Sequence, residues 1–336
     1  MKTYRLNGVG LDALRCGVED VPPPARGEVQ VRIHAAAINY RDVGVVLGHY
    51  AAAPNLVPFS DGAGTIVAVG DAVEDFAVGD AVVSCFYENW QSGRASALNH
   101  RRSFGSERDG MLADLVNLPA SGIVHKPRSL DMLAASTLPC AALTAWSALF
   151  TEGHLCPGQH VVVEGTGGVA LFALQFAKMA GATVTVLSSS NEKLARARAM
   201  GADHLVNYRE VPEWSASVMD FTNGIGADIV IELGGTSTLG QALQSIRMDG
   251  LVAVIGVLTG LNAALFVPHM LQRHTRMQGI TVGHRDDMIA MGKAIDTHGI
   301  KPVIDAHFAF DDARRAYEVL PTGQHFGKLV IDVSAS

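Results

Sequence analysis

The stretch Gly-Thr-Gly-Gly-Val-Ala at 165–170 has residue types and spacing suited to binding a phosphate-containing ligand. It follows an apolar run and precedes apolar residues at helical spacing, so a strand and a helix are predicted on either side. Gly165 permits a tight turn, Gly167 lets the backbone approach a pyrophosphate, and Ala170 allows close helix–strand packing. The free N–H groups at the helix start favour phosphate. A dinucleotide site is therefore predicted; an ordinary strand-to-helix turn is the alternative.

Three serines, Ser188, Ser189 and Ser190, follow the next predicted strand. An NAD-binding fold usually carries an acid here, which binds the ribose 2′-hydroxyl. The serines carry no charge that would repel a 2′-phosphate, and Lys193 follows within one helical turn. This pattern favours NADPH, with NADH still possible. In the alternative interpretation the serines only cap the next helix, and its basic residues form a solvated face.

The elements that would position these residues alternate between strands and helices from about residue 160 onward. Strands are predicted at 161–165, 183–187, 204–208, 228–233, 251–256 and 279–283. Helices are predicted at 168–180, 191–201 and 238–250. This alternation predicts a doubly wound α/β domain with a parallel sheet, that is, a Rossmann domain.

The remaining chain reads as a β-rich domain. Short apolar runs separated by glycine, proline or aspartate predict strands at 28–33, 64–70, 80–84 and 112–116. A last strand, at 328–333, is expected to return to this domain.

Composition indicates a protein that acts on a small molecule. The chain has 336 residues, 48% of them hydrophobic, and a formal net charge of −7 without a basic cluster of the nucleic-acid-binding type. The four cysteines are scattered, and the N-terminus lacks an apolar signal segment. Two uncharged stretches, 132–151 and 251–272, are interrupted by proline or glycine, and we interpret both as buried elements joined by loops. We expect a cytoplasmic protein without nucleic-acid or membrane partners.

The chain resembles the medium-chain dehydrogenase/reductase superfamily over nearly its whole length. The resemblance rests on VGDAVEDFAVGDAV at 69–82, NYRD at 39–42, FSDGAGTIVAVG at 59–70 and the run at 161–208. It implies a GroES-like β-rich catalytic domain and a Rossmann domain, with the active site in the cleft between them and a homodimer as the assembly. The domains would be 1–126 with 285–336, and 127–284.

The zinc-ligand positions of this superfamily are changed in the chain. Zinc alcohol dehydrogenases use a Cys, a His and a second Cys or an acid, and the corresponding residues here are Asn39, Ser60 and Cys140. The cysteine cluster that binds structural zinc is absent too. Because a catalytic zinc needs about three protein ligands, no metal site is expected. A site rebuilt with His34 or His49 is the alternative.

A zinc-free site restricts the chemistry that is accessible. Deprotonating an alcohol without a Lewis acid is difficult, whereas hydride donation to a conjugated acceptor needs only hydrogen-bond donors for the developing oxyanion. The chain resembles the zinc-independent quinone oxidoreductase-like branch, which reduces quinones or α,β-unsaturated carbonyls with NADPH. We therefore expect an enzyme of this type. The alternatives are an alcohol dehydrogenase with an atypical metal site and a cofactor-binding protein with little turnover.

The same resemblance suggests roles for single residues. Asn39 and Tyr50 are the catalytic candidates, which would hydrogen-bond the substrate oxygen or shape its pocket. The cofactor-binding candidates are Thr144, Gly165, Thr166, Gly167, Gly168, Val169, Ser188, Ser189, Lys193, Tyr208, Gly256, Phe326 and Lys328. Each has a structural alternative, such as a turn for Asn39 and packing for the tyrosines. Trp90, in the insertion at 86–110, either lines a substrate pocket or anchors the loop.

Overall fold

A computed structural model describes residues 1–334, which divide into two compact units. One unit consists of Met1–Leu143 and the segment from Gly283 to the C-terminus, and the other is Thr144–Val282. The segment 127–143 thus belongs to the first unit. No helix between residues 1 and 334 combines the length and apolar character needed to cross a membrane.

Fifteen strands are described. They are β1 (Lys2–Leu6), β2 (Leu14–Val18), β3 (Glu28–Ile38), β4 (Asp61–Val69), β5 (Ala81–Ser84), β6 (Leu115–Pro119), β7 (Ile123–His125), β8 (His160–Glu164), β9 (Thr183–Ser188), β10 (His204–Asn207), β11 (Ala227–Glu232), β12 (Ile246–Val254), β13 (Arg276–Gly279), β14 (Ile304–Ala309) and β15 (Lys328–Asp332).

Ten α-helices accompany them. They are α1 (Tyr40–Val46), α2 (Met132–Ala135), α3 (Leu143–Trp146), α4 (Gly168–Met179), α5 (Asn191–Ala199), α6 (Trp214–Phe221), α7 (Leu239–Ser245), α8 (Val267–Arg273), α9 (Arg285–His298) and α10 (Ala313–Val319). Two π-helical turns, Leu138–Ala142 and Ser147–Thr151, flank α3.

The first unit is built on a sheet in the order β14-β15-β3-β4-β5-β7, to which β6 adds by pairing with β3. All pairs are antiparallel except β14 with β15. In the first part of β3 the side chains alternate, with Val29, Val31 and Ile33 buried in the core. This period of two is typical of a half-buried strand. The β-rich prediction for this part of the chain is confirmed.

The second unit is a six-stranded parallel sheet in the order β10-β9-β8-β11-β12-β13. The order reverses at β8, because the chain moves from β8 to β9 on one side and continues with β11 on the other. Ligands of doubly wound folds bind at this switch point, beyond the carboxyl ends of the strands. The Rossmann prediction is therefore confirmed.

Several predicted elements differ in their boundaries. The helix predicted at 238–250 ends at Ser245, because the fully buried Ile246 begins β12 and pairs with Ala227. The strand predicted at 279–283 is β13, three residues earlier. Its ladder to β12 ends at Gly279, and Val282 beyond it has a φ of 69°. The strand predicted at 112–116 is β6, also displaced by three residues.

The two uncharged stretches behave differently. Most of 132–151 is buried in helical turns, as predicted, but in 251–272 only the β12 portion is in a core. The prediction for the rest of 251–272 was wrong: helix α8 has no buried residue. Large apolar side chains that are exposed there are Val257, Leu258, Leu261, Phe266, Val267 and Leu271. Apolar composition predicted burial, yet this surface has no covering partner within the described chain.

Candidate functional site

The glycine loop between β8 and α4 has the geometry of a phosphate cradle. Gly165 has a φ of 81°, and nothing in the described chain lies within 4 Å of where its Cβ would stand. Gly167 is the N-cap of α4, and no side chain among the described residues caps that helix start. The N–H groups of Gly168 and Val169 begin the helix, beside the buried Thr166. An open glycine turn with an uncapped helix N-terminus fits a pyrophosphate.

The three serines divide into two roles. Ser190 caps α5, since its Oγ accepts from the backbone N–H of Lys193 at 3.3 Å. Ser188 is buried at the end of β9, and its Oγ accepts from the N–H of Ser190 at 3.3 Å. Ser189 is half-buried, and its hydroxyl makes no hydrogen bond within residues 1–334. The capping alternative therefore holds for Ser190, while the Ser189 hydroxyl has no partner within the described chain.

Tyr208 lies beside the serines, because its backbone N–H donates to the carbonyl of Ser188 at 3.1 Å. Its ring is 43% exposed, which leaves a face for an adenine. Next to it, Asn207 donates to Asn191 Oδ1 at 2.9 Å and to Glu210 Oε1 at 3.0 Å. Sequence reasoning missed this polar cluster; the asparagine at the end of β10 was the available signal.

Gly256 follows β12, at the same edge of the sheet. A Cβ at Gly256 would overlap the carbonyl oxygen of Leu233, so close packing of two loop backbones already requires glycine here. Thr144 is buried in α3, between the two π-helical turns. π-turns are frequent at functional sites.

The first unit contains a buried polar cluster around Lys328. Its Nζ donates to the carbonyl of Ile38 at 2.6 Å and to Oδ1 of Asn39 at 2.5 Å. Asn39 is 8% exposed and Lys328 is 4% exposed. Because an ammonium only donates, the amide oxygen of Asn39 must face Lys328 and its Nδ2 must point elsewhere. Nδ2 is buried and makes no hydrogen bond within the described chain.

Two buried aspartates complete the cluster. Asp42 accepts from the backbone N–H of Asn39 at 2.7 Å, and burial raises the pKa of Asp42 to about 6. Burial also raises the pKa of Asp61, while Lys328 and the Ser60 hydroxyl, 2.6 Å away, partly lower it. The Asn39 amide lies near Asp61 and adds to that lowering, although its geometry falls short of a normal hydrogen bond.

Cys140 and Ser60 stand at the predicted zinc-ligand positions. Burial, followed by the charge of Asp61, raises the pKa of the Cys140 thiol, and its backbone N–H donates to Asp61 at 3.1 Å. No group of three His, Cys, Asp or Glu residues within 1–334 could hold a metal ion. A hydroxyl, an amide and a thiol with a raised pKa do not match the zinc ligand set.

The other predicted residues of this unit lie in different surroundings. Tyr50 is 51% exposed and its ring packs against the Cα of Gly44 in α1. Phe326 is buried in the turn before β15. Trp90 is 9% exposed; its Nε1 donates to the carbonyl of Gly93 at 2.9 Å and its own carbonyl accepts from Arg285. These contacts anchor the insertion at 86–110 through Trp90.

Comparisons with known proteins identify the family. Residues 25–128 match the family model described as alcohol dehydrogenase GroES-like domain, and residues 168–297 match the one described as zinc-binding dehydrogenase. The zinc-type alcohol dehydrogenase-like protein C1773.06c of Schizosaccharomyces pombe is 41% identical, over 96% of each chain.

Two solved structures extend the similarity. An NAD-dependent alcohol dehydrogenase has a TM-score of 0.91 at 31% identity, with 99% of this chain and 100% of that chain covered. The crotonyl-CoA carboxylase/reductase AntE, solved with NADP, has a TM-score of 0.87 at 25% identity, with 100% and 95% covered. These matches confirm the GroES-like and Rossmann predictions. The chain therefore belongs to the medium-chain dehydrogenase/reductase superfamily of NAD(P)-dependent oxidoreductases.

Proposed function

We propose that the protein is a zinc-independent NADPH-dependent reductase, which transfers hydride to a quinone or an α,β-unsaturated carbonyl. The observation that carries the proposal is the buried Lys328–Asn39 pair, at a position where zinc enzymes of the superfamily carry a metal ligand.

The pair supplies a donor for an oxyanion. Lys328 holds Oδ1 of Asn39 and thereby fixes the orientation of the amide. The amide lies near the Asp61 carboxylate without the geometry of a normal hydrogen bond, and a substrate oxygen that accepts from Nδ2 would complete its hydrogen bonding. The positive charge of Lys328 further polarises the amide, so Nδ2 becomes a better donor. Asn39 is thus suited to hold a carbonyl oxygen.

This arrangement fits conjugated acceptors. When bound, the reduced nicotinamide supplies the hydride. Asn39 would stabilise the negative charge that develops on the substrate oxygen, in a buried site where hydrogen bonds count for more than in water. The similar AntE is a crotonyl-CoA carboxylase/reductase, and we therefore include enoyl thioesters among the candidate acceptors.

NADPH is the proposed cofactor because the end of β9 carries no acid. Ser189 offers an unengaged hydroxyl, and Lys193 lies in the first turn of α5. The NADP bound in the structure of AntE supports this choice, whereas the similar NAD-dependent alcohol dehydrogenase leaves NADH as the competitor.

A zinc-dependent alcohol dehydrogenase is the second candidate. It is favoured by the match to the zinc-binding dehydrogenase model and by the zinc-type name of the Schizosaccharomyces pombe relative. The donor set of Asn39, Ser60 and Cys140 argues against it, as does the ammonium of Lys328 beside Asn39.

The test follows NADPH oxidation with a quinone, an enone, an enoyl thioester and a simple ketone, each with and without a chelator. We expect turnover with the conjugated acceptors that the chelator does not change. Asn39→Ala should lower kcat about a hundredfold, which is typical for the loss of one oxyanion donor. The affinity for NADPH, measured by its fluorescence, should stay unchanged in this variant.

Asn117→Ala provides the matched control, because Asn117 lies on β6 of the same unit and its side chain, within residues 1–334, bonds only to Gln30 and Pro22. Wild-type turnover in Asn39→Ala would exclude the proposed donor role. Ketone reduction that disappears on chelation, with stoichiometric zinc in the purified protein, would establish the second candidate.

A further inference from the structure

Two buried glutamates end neighbouring strands of the parallel sheet. Glu164 is the last residue of β8 and Glu232 the last of β11, and the preceding pair Val163 and Ile231 is in register. Glu164 is 5% exposed and Glu232 is fully buried. The carboxyl groups therefore lie side by side at the edge of the sheet that binds the dinucleotide under the proposed function.

Both carboxyl groups bind the same loop backbone. Oε2 of Glu164 accepts from the N–H groups of Leu233 and Gly234, both at 3.1 Å. Oε1 of Glu232 accepts from Gly234 at 3.1 Å and from Gly235 at 2.8 Å, and the hydroxyl of Thr238 also donates to it. The N–H of Gly234 is thus shared, which brings the two carboxyl groups together.

No ion pair within residues 1–334 balances two negative charges here. Oε1 of Glu164 and Oε2 of Glu232 are buried and have no hydrogen-bond partner among residues 1–334. Neither carboxyl group is in an ion pair within the described chain, and the flanking strands place apolar Leu187 and Val254 beside them. Burial and the neighbouring charge of Glu232 raise the pKa of Glu164 well above its usual range. Two unpaired oxygens of adjacent carboxyl groups are satisfied if they hold one proton between them.

The loop that the pair holds also fixes the next loop. The carbonyl of Glu232 accepts from Ile255 at 3.0 Å and from Gly256 at 3.1 Å, while the carbonyl of Gly234 accepts from Thr259 at 2.8 Å. A shift of Leu233 would move Gly256, because the two backbones touch. On the other side, Glu164 directly precedes the glycine turn at Gly165.

We propose that Glu164 and Glu232 share one proton and act as a positioning pair, which holds the loops at 165, 233–235 and 256 in the conformation that binds the nicotinamide half of the cofactor. The inference rests on the proposed binding of NADPH to this unit. Loss of the shared proton leaves two buried carboxylates side by side, so the loops separate and the affinity falls.

The direction in which pH changes stability and NADPH affinity follows from the difference in proton binding between the states compared. Because the folded protein retains a proton that the unfolded chain releases near pH 4.5, this pair stabilises the fold at low pH and loses that contribution as pH rises through its folded pKa. The dissociation constant for NADPH should increase over the same range, by at most about tenfold per pH unit for one linked proton.

The experiment measures NADPH affinity by fluorescence and unfolding without cofactor, from about pH 6 to about pH 9. In Glu164→Gln the amide keeps the shape, accepts from the loop N–H groups and donates to Glu232 without titrating. We expect this variant to bind NADPH as tightly as wild type at the acid end and to lose the pH dependence of both affinity and stability. Glu164→Ala should bind more weakly throughout.

Infrared spectroscopy detects the shared proton itself, a signal that would not depend on Glu164 if its role were merely structural. Wild type should show one carbonyl band of a protonated carboxyl group that Glu164→Gln lacks, in addition to the bands of Asp42 and Asp61, which both proteins share. Glu213→Gln, a change of an exposed glutamate of the same unit, is the control. The proposal that the two glutamates share a proton would be contradicted if wild type lacked that band. It would also be contradicted if the NADPH affinity and stability of wild type had the same pH dependence as those of Glu164→Gln. If wild type fails to bind NADPH at every pH while the band and the stability profile are found, the proposed function fails and the proton-sharing pair stands.

Discussion

At the scale of single residues, one unit contains the open glycine turn at Gly165, and the other contains the buried contact between Lys328 and Asn39. A glycine turn at 165 could be predicted from the motif, because residues other than glycine rarely adopt a φ of 81°. The contact between Lys328 and Asn39 could not be predicted, since 289 residues separate them and no local pattern links the two. Glu164 was missed for a similar reason: it precedes the glycine motif, and only the strand pairing reveals its partner Glu232.

Lys193 is the residue whose replacement tests the cofactor preference. Lys193→Ala should weaken NADPH binding about tenfold to a hundredfold, the range expected for a lost hydrogen bond to a charged group, and leave NADH binding unchanged. Titration of both cofactors by fluorescence measures this. Arg198→Ala is the control on the same helix, because Arg198 already donates to the carbonyl of Asp203 at 3.0 Å. Equal losses for NADH and NADPH would show that Lys193 does not select the phosphate.

At the scale of elements, periodicity predicted most strands and helices of the Rossmann unit, while their ends depended on tertiary pairing. The apolar spacing after residue 238 is compatible with a long helix, yet pairing with β11 draws Ile246 into β12. The sequence pattern also did not reveal that a row of hydrogen-bonded polar side chains crosses β8, β9 and β10. His160, Thr185 and His204 form that row, with hydrogen bonds of 2.9 Å and 3.2 Å.

This row should make the fold sensitive to acid. Burial and then the neighbouring His204 lower the pKa of His160 to about 4. The unfolded chain takes up that proton near pH 6.5, so the free energy of unfolding should fall as pH decreases from about 6.5 to about 4. Between about pH 7 and about pH 5 we expect a loss on the order of 1 to 2 kcal/mol.

Denaturant unfolding of wild type and His160→Gln at both pH values measures this contribution. The quantity compared is the change in the free energy of unfolding with pH, taken as the difference between wild type and His160→Gln. This difference removes the contribution of Glu164, which has the opposite sign and is present in both proteins. His298→Gln, on the exposed face of α9, is the control. An acid-induced loss of equal size in His160→Gln and wild type would contradict the assignment to this row.

At the scale of the whole molecule, chain length and the pattern of strands and helices predicted a β-rich part and a Rossmann part, while the GroES-like class came from the family resemblance. They could not predict where apolar surface would stay uncovered, since burial depends on what packs against a segment. The segment 258–271, which we call the apolar patch, has Leu258, Leu261, Phe266 and Leu271 exposed, with Leu261 at 82% and Leu271 at 71%. It lies in the unit whose sheet ends in the edge strand β13.

We expect a second copy of the chain to cover this patch, because unpaired edge strands and exposed apolar patches commonly mark association sites. Light scattering after size exclusion should give a dimer for wild type and a monomer for the double variant Leu261→Lys, Leu271→Lys. Leu98→Lys, at an equally exposed leucine of the other unit, is the control. A monomeric wild type at micromolar concentration would contradict the expectation.

The buried ammonium of Lys328 also sets a condition for protein engineers. Restoring the Cys, His and Cys ligands of a zinc enzyme at positions 39, 60 and 140 would bring a divalent cation close to an existing positive charge. At about 4 Å and an effective dielectric constant near 20, each pair of unit charges repels by about 4 kcal/mol. A metal-dependent descendant of this scaffold would therefore bind its cation more tightly if Lys328 were neutralised first, since otherwise the buried Asp42 and Asp61 must offset both the ammonium and the metal.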